Sequence, residues 1–426
     1  MIFLSYYTFD KDIFSPSFLL FIGYFISALA TYYNTISWNV VITDKLILIM
    51  TTGWVAFFLA ELFIRKAVYK EKRKGLPTQQ LASINYTEIN VSKIIMILFI
   101  GIDLIIFLLF YRDVARIAGG SSSLSNLVLN YKNNLSETGL STIVQQTIKY
   151  IKGFAYVSAY VFSYNVFLPN AITRRIIKKN AIYLIPGIIY IAQCLLNGGR
   201  YTALAFIIGF VFMMYLLIQF RDNWKHKLKC KTLVIAITFV FAIFVLFWAI
   251  KELVGRTSTA TLIEYITEYI GGPYELFSLY LESPPSSFCF ESFAGIINSF
   301  NKLGLTDLPI RTYHEFRFSN TNILIGNVYT AFRSYYNDFG IIGVGSLSFI
   351  MSCVFNIAYH KLRFSMNLKK SAFLVVLYSS LLYTVVFNFF VDYFYARFSI
   401  GLIIEIFVMY VIYYLLVKKR LVLGRM

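Results

Sequence analysis

The residues with the clearest chemical potential are arginines standing between apolar runs. Arg200 follows Gly198 and Gly199 at a tight turn between two such runs. The glycines permit a sharp backbone, and the N–H groups that open the next helix favour an anion. A guanidinium adds a permanent charge and a fork that suits phosphate. The same residues also fit a plain turn whose arginine reaches up to lipid headgroups. Arg256 lies in Val254-Gly255-Arg256, Arg311, Arg317 and Arg333 follow, and Arg397 opens the last apolar run. Together they could line an electropositive cleft; taken singly, each reads as a surface residue.

Acid–base candidates are few. His314 is the one histidine outside the apolar runs and basic loops, and imidazole exchanges a proton near neutral pH. Glu264 and Glu268 are four residues apart and share a helix face. That pair suits a general base, a holder of sugar hydroxyls, a divalent-cation site or a plain solvated face. Tyr274 and Tyr329 belong to a set of tyrosines that suits stacking on sugar rings, and equally a loop lying on a membrane surface. There is no HExxH, no paired CxxC and no GxxxxGK[ST], so zinc-hydrolase and P-loop readings lack support and neither metal nor cofactor is expected.

These residues need elements to carry them, and composition says which. Of 426 residues, 58% are hydrophobic and 14% charged, against a typical ~25% charged in soluble domains. Mean hydropathy is +0.67. A soluble chain could not hide that much apolar surface, so the solvent is lipid. Ten runs approach the ~20 apolar residues a spanning helix needs: 14–33, 46–64, 94–111, 149–168, 182–197, 201–219, 232–250, 339–358, 371–390 and 398–417. The first leads straight into the others and is expected to remain as a span.

Lysine and arginine set the orientation. Alternate loops, 65–93, 169–181, 220–231 and 359–370, and the tail after 417 hold 24 of the 39 basic residues. That face is expected to be cytoplasmic, with both termini inside. The net charge of +18 is then a topology signal with attraction to anionic lipid, and no nucleic-acid partner is called for. Cys194, Cys230, Cys289 and Cys353 are scattered, and only Cys289 falls in the long polar segment, so no disulfide framework forms there. No repeat period appears.

Three acids sit within the runs: Glu61, Asp103 and Glu405. Glu61 is expected to pair with the nearby basic cluster. Asp103 and Glu405 lie deeper and could pair with arginines at the outer ends of other spans. Two segments on the opposite face are long, 112–148 and 250–338; the second carries nine acids and six bases. Loops of that length usually have a role. The chain thus divides into spans one to seven (1–249), the long external loop (250–338) and spans eight to ten with a basic tail (339–426).

Three stretches carry a resemblance. Ile270-Gly271-Gly272-Pro273-Tyr274 is followed by Gly326-Asn327-Val328-Tyr329-Thr330, then by Asn337-Asp338-Phe339-Gly340-Ile341-Ile342-Gly343. With the turn at 198–200, this resembles the bacterial oligosaccharide repeat unit polymerases, the Wzy-type O-antigen and capsule polymerases, over residues from about 90 to the C-terminus. The resemblance implies an all-α membrane glycosyltransferase of the C type in the bacterial plasma membrane. It implies polymerisation of undecaprenyl-diphosphate-linked oligosaccharide repeats on the outer face, with undecaprenyl diphosphate leaving. Membrane lipid and the pathway's flippase and chain-length regulator would be its partners. Arg200, Arg256 and Arg333 would then meet the diphosphate, Asn327, Tyr274 and Tyr329 the glycan, and Glu264, Glu268, His314 or Asp338 the acceptor proton. Relatives often carry a His-Asn pair where this chain has Gly326-Asn327, so the histidine is missing there. Asp338 also fits a plain cap on span eight. The competing readings are a lipid-linked oligosaccharide flippase, which would usually show internal repeats and short loops, and an O-antigen ligase.

Overall fold

A computed structural model describes residues 1–75, 86–120, 123–169, 171–224, 261–365 and 368–419, with positions 245, 248 and 249. Nearly all of the expected seventh span, 232–250, and Arg256 lie outside the described residues. The chain is a helical, polytopic membrane protein. Among the described residues seven helices are long and apolar enough to cross a membrane: Pro16–Tyr33, Asp44–Val68, Lys93–Ile117, Arg174–Leu196, Arg200–Arg221, Ala331–Arg363 and Ile400–Lys418. Ser371–Val386 is a shorter apolar helix. The run expected over 149–168 is helical from Thr142 to Phe167, but its Lys, Ser and Tyr content keeps it out of that class.

Two compact units are assembled from separated stretches of chain. The first comprises Met1–Gln79, Ala260–Phe364 and Leu381–Ile403. It contains α1 (Ile2–Thr8), α2 (Pro16–Tyr33), the single turn α3 (Thr35–Trp38) and α4 (Asp44–Gly75). Ser15 caps α2 through the Phe18 N–H, with Pro16 in the first turn where its missing N–H costs nothing. Glu61, fully buried, accepts the Ser17 N–H at 2.7 Å. Its hydrogen-bond partner is thus the start of α2, while the charge of Arg65, the first residue of the basic cluster, also acts on it. At the same end, Asp10 meets Arg65 at 2.8 Å and Arg363 at 3.0 Å, and Asp12 accepts from Tyr359.

The second unit comprises Gln80–Thr259, Ser365–Ser380 and Ile404–Met426. It holds α5 (Lys93–Ile117), α6 (Leu124–Thr138), α7 (Thr142–Phe167), α8 (Arg174–Asn180), α9 (Ile185–Leu196) and α10 (Arg200–Arg221). Helix α7 is buried almost continuously from Gly153 to Val166 and forms the axis of this unit. Glu405 pairs with Lys152 at 2.8 Å, and both carboxylate oxygens of buried Asp103 lack a partner. Where arginines are expected, a lysine meets Glu405 and, among the described residues, no arginine meets Asp103.

Returning to the first unit, α11 (Leu262–Glu282) packs along α2. The Gly271-Gly272-Pro273 stretch is a contact device. A Cβ on Gly271 would fall 2.6 Å from the Thr31 nitrogen. Pro273 removes a rung of the helix, while Ser27 and Thr31 donate hydroxyls to the Ile270 and Gly271 carbonyls at 2.7 and 2.9 Å.

After α12 (Ala294–Lys302) and a short hairpin of β1 (Arg317–Phe318) and β2 (Leu324–Gly326) comes α13 (Ala331–Arg363). It is two helices joined at Gly340, whose φ of 63° and ψ of −157° are not helical. The chain reverses there: a Cβ on Gly343 would lie 2.6 Å from the Tyr335 carbonyl oxygen, and Tyr335 reaches Met351. Residues 331–339 therefore form an arm that rises from the bundle, and 341–363 descends beside it. The arm falls within the segment expected as external loop. Its root is deep: Ala331, Phe332 and Arg333 are fully buried, and the Phe332 ring presses on Gly53 in α4.

A second break follows α14 (Leu368–Leu381) and the turn α15 (Tyr383–Val386), before α16 (Ile400–Tyr413). In the irregular chain between them Asn388, Asp392, Phe394 and Tyr395 are buried. Asn388 bonds the Tyr24 hydroxyl at 2.9 Å and the Ala331 N–H at 2.9 Å, and Asp392 accepts the Phe394 and Tyr395 N–H groups. Non-helical backbone inside a membrane protein must find partners in the protein itself, and these residues supply them.

The reversal at Gly340 lies in a backbone region open essentially to glycine alone. Gly340→Ala is expected to cost about 1–3 kcal/mol, read as a lowered Tm of the purified protein in detergent. Gly101→Ala, where no atom lies within 4 Å of the added methyl, is expected to leave Tm unchanged or raise it.

Candidate functional site

The arm carries Arg333 into the centre of a charged cluster. Its guanidinium is fully buried, sandwiched between the rings of Tyr329 at 3.9 Å and Tyr280 at 4.6 Å. Its Nη2 donates to Glu291 Oε1 at 3.1 Å and Glu315 Oε2 at 2.7 Å, while Nε and Nη1 have no partner. Glu291, also fully buried, takes a second guanidinium, Arg311, at 3.0 Å. Glu315 takes Arg317 at 2.9 Å. Three guanidinium groups thus face two carboxylates, leaving one net positive charge.

Local folding explains each position. Residues 290 and 310 bridge, so that the Arg311 N–H reaches the Phe290 carbonyl at 2.9 Å and brings Arg311 beside Glu291. Asp338, near the tip of the arm, accepts the backbone N–H groups of Glu291 at 3.0 Å and Ser292 at 2.8 Å. It caps the chain at 291–292, not the start of the following span. Arg317 donates to the Leu279 and Ser283 carbonyls at 2.9 and 2.6 Å and so closes the C-terminal end of α11. The Tyr329 hydroxyl donates to the Glu315 carbonyl at 3.0 Å, and Asn327 to the His314 carbonyl at 3.4 Å.

A cavity of 440 Å³ opens on this cluster. It is lined by Ser283, Pro284, Pro285, Arg311, Tyr313, His314, Glu315 and Arg317. Tyr313 is 83% exposed and offers a free ring at its mouth.

Burial pushes Glu315 up, but the bonds and charge of Arg333 together with the Arg317 bond prevail and hold its carboxyl near 2. Burial raises Glu291, with Arg333 and Arg311 opposing. Burial and then the Arg333 charge bring His314 down to about 3. The imidazole is therefore neutral at physiological pH, since burial and the charges of Arg333 and Arg311 outweigh the opposing charge of Glu315, although Glu291 lies 3.6 Å from its Nδ1. His314 serves as a neutral hydrogen-bonding group better than as a base.

The other sequence candidates are distributed as follows. Glu264 is exposed and tied up in a capping box with Thr261, whose N–H it accepts at 2.8 Å. That N–H holds its carboxyl below the usual range. Glu268 lies one turn on, raised by burial and by Glu264. Tyr274 lies on α11 and interacts with Tyr24 inside the bundle. Arg200 belongs to the second unit, at the first position of α10; it is 8% exposed, which excludes a side chain spread over headgroups. Among the described residues no group of three or more His, Cys, Asp or Glu could hold a metal ion.

Sequence reading had not marked Glu291 and Glu315 as site residues. They lie 42 and 18 residues from Arg333, and no spacing rule selects them among the loop's acids. The available signal was electrostatic: an arginine that becomes buried needs carboxylate partners.

No protein-family model matches the chain, and neither the curated proteins nor the solved structures contain a match to it.

Removing one partner of a buried ion network strands the other. Arg333→Met is expected to destabilise the protein by about 3–5 kcal/mol, with Glu291→Gln added to it restoring part of the loss in the same thermal melts. Acid has a defined effect. Unfolded His binds a proton near 6.5 and folded His314 near 3, so the unfolded state takes up the proton first and stability falls as pH drops through that window. Glu315, depressed from 4.5 to about 2, adds a loss of the same sign at lower pH. Tm is expected to decline from about pH 7 to about pH 4, and His314→Gln to flatten the upper part of the decline.

Proposed function

We propose that this chain is a membrane glycosyltransferase of the bacterial plasma membrane that polymerises lipid-linked oligosaccharide repeats. The proposal includes ten spans, cytoplasmic termini and a reaction on the outer face. One observation carries it. Three short stretches that resemble repeat unit polymerases are remote in sequence, yet one of them covers Arg333 and the other two pack against segments that surround it. Gly272 packs on Ile325, beside the 326–330 stretch. Tyr329 covers the Arg333 guanidinium. Asn337 accepts the Tyr280 hydroxyl at 3.1 Å, and Asp338 fixes the backbone of Glu291.

The chemistry suits the surroundings. The acceptor hydroxyl attacks the anomeric carbon of the growing glycan. The bond from that carbon to the diphosphate oxygen breaks, undecaprenyl diphosphate leaves with the electron pair, and the hydroxyl's proton passes to water. Fixed positive charge that needs no rearrangement stabilises such a leaving group, and the cluster has one positive charge in excess. Glu315 reaches the cavity and stays ionised, so it can accept the acceptor's hydroxyl hydrogen bond and orient the oxygen. Tyr313 supplies a ring on which a sugar face can stack.

The test is surface glycan length in a deletion strain. Single-repeat material on lipid is expected without the gene, and a ladder when it is restored. Arg311→Ala is expected to remove the long chains, and Tyr313→Ala to shorten them, with both proteins at normal levels in the membrane. Unchanged ladders in the deletion strain would end the polymerase reading, and repeats trapped on the cytoplasmic face would replace it with a flippase.

A further inference from the structure

The β1–β2 hairpin has two unlike faces. Strand alternation turns Arg317 inward to α11, and Ile325 also faces α11, against Gly272. Phe316 and Phe318 point the other way, at 66% and 53% exposure, and Leu324, the cross-strand partner of Phe318, is 52% exposed. This outer face carries no charge. Among the described residues of the first unit nothing covers it.

Two hydrogen bonds fix where the hairpin sits. Asn320 donates to the Asn39 carbonyl at 2.9 Å, and the Thr321 hydroxyl to the Ser37 carbonyl at 2.5 Å. Residues 37 and 39 belong to the short turn joining α2 to α4, both membrane-spanning by length and hydropathy. That turn must lie at one boundary of the bilayer, and the hairpin tip is bonded to it. The same turn presents Ile36 at 94% exposure and Ile42 at 60%. The exposed apolar face of the hairpin is therefore tied to the same boundary as the exposed isoleucines of that turn.

We propose that this face of the hairpin is inserted into the lipid leaflet at that boundary, with Phe316, Phe318 and Leu324 among the acyl chains. Polar groups in lipid must be satisfied internally, and the tip meets that demand: Asn320 and Thr321 spend their donors on backbone carbonyls, and Ser319 accepts the Ile323 N–H at 3.0 Å. Aromatic residues at a bilayer boundary anchor a protein at headgroup level. Insertion would hold Arg317, on the reverse face, near the level of the lipid phosphates. Membrane crossing by α2 and α4 is all that this placement requires; it does not depend on the reaction.

The test uses the full chain in lipid nanodiscs, free of its native cysteines, with a nitroxide at Phe318→Cys or Leu324→Cys. Ile102→Cys in α5 gives the lipid reference and Tyr313→Cys the aqueous one. Collision with oxygen is expected to exceed collision with a water-soluble nickel chelate several-fold at 318 and 324, as at 102, and the order to reverse at 313. Preferential collision with the chelate at 318 and 324 would overturn the proposal, because the face would be in water. Low accessibility to both reagents would overturn it equally, because protein would be covering the face. As an independent reading without the label, added fluorescence from Leu324→Trp is expected to be quenched by brominated phospholipid, and its insensitivity would contradict insertion.

Discussion

A fully buried guanidinium cannot exist alone, and most of the first unit's polar architecture follows from burying Arg333. Taking a charge out of water costs several kcal/mol unless partners return it. Here the return comes from Glu291, Glu315 and the faces of Tyr280 and Tyr329. Each partner is itself secured. Asp338 grips the backbone of Glu291, Arg317 ties Glu315 to the end of α11, and the Tyr329 hydroxyl bonds the Glu315 carbonyl. A long loop is thereby pinned to a helical arm by one charge and its consequences.

The arm exists because α13 is not a single rod. A straight 33-residue helix would be far longer than a bilayer is thick, and Gly340 resolves this by reversing the chain. The reversal sends the root of the arm, with Arg333, down among buried residues while leaving Phe339 and Ile342 exposed at the tip. The irregular segment after α15 performs the matching task, offering the Asn388 carbonyl to Ala331 N–H at that root. Broken helices of this kind are where membrane proteins commonly build binding sites, since only there does the backbone itself become available to a ligand.

A polar group's sequence neighbourhood is a poor guide to its role in this chain. Glu264 and Glu268 have the spacing of a paired site, but the first is a helix cap. His314 has a residue type suited to proton transfer, but two arginines and burial suppress its basicity. Asp338, which also fits a cap on its own helix, instead accepts backbone N–H groups of a loop 46 residues away. The glycines of 271–272 serve close packing against α2 and Ile325.

The sequence by itself determined that the protein lives in lipid and is built of helices, because hydropathy over a spanning length is a local property that needs no partner. It determined most span positions for the same reason, and it singled out Arg333, Asn327 and Tyr329 through type and motif. Only the tertiary structure decided that α13 doubles back, since one glycine's positive φ does not alter the apolar pattern around it. Only the structure decided that Glu291 and Glu315 answer Arg333, or that Lys152 answers Glu405. Ion pairs across dozens or hundreds of residues are set by which helices lie side by side, and periodicity within a segment carries no information about that. The division follows the range of the forces: burial of apolar surface is written into each stretch of chain, whereas compensation of a buried charge is written into the packing.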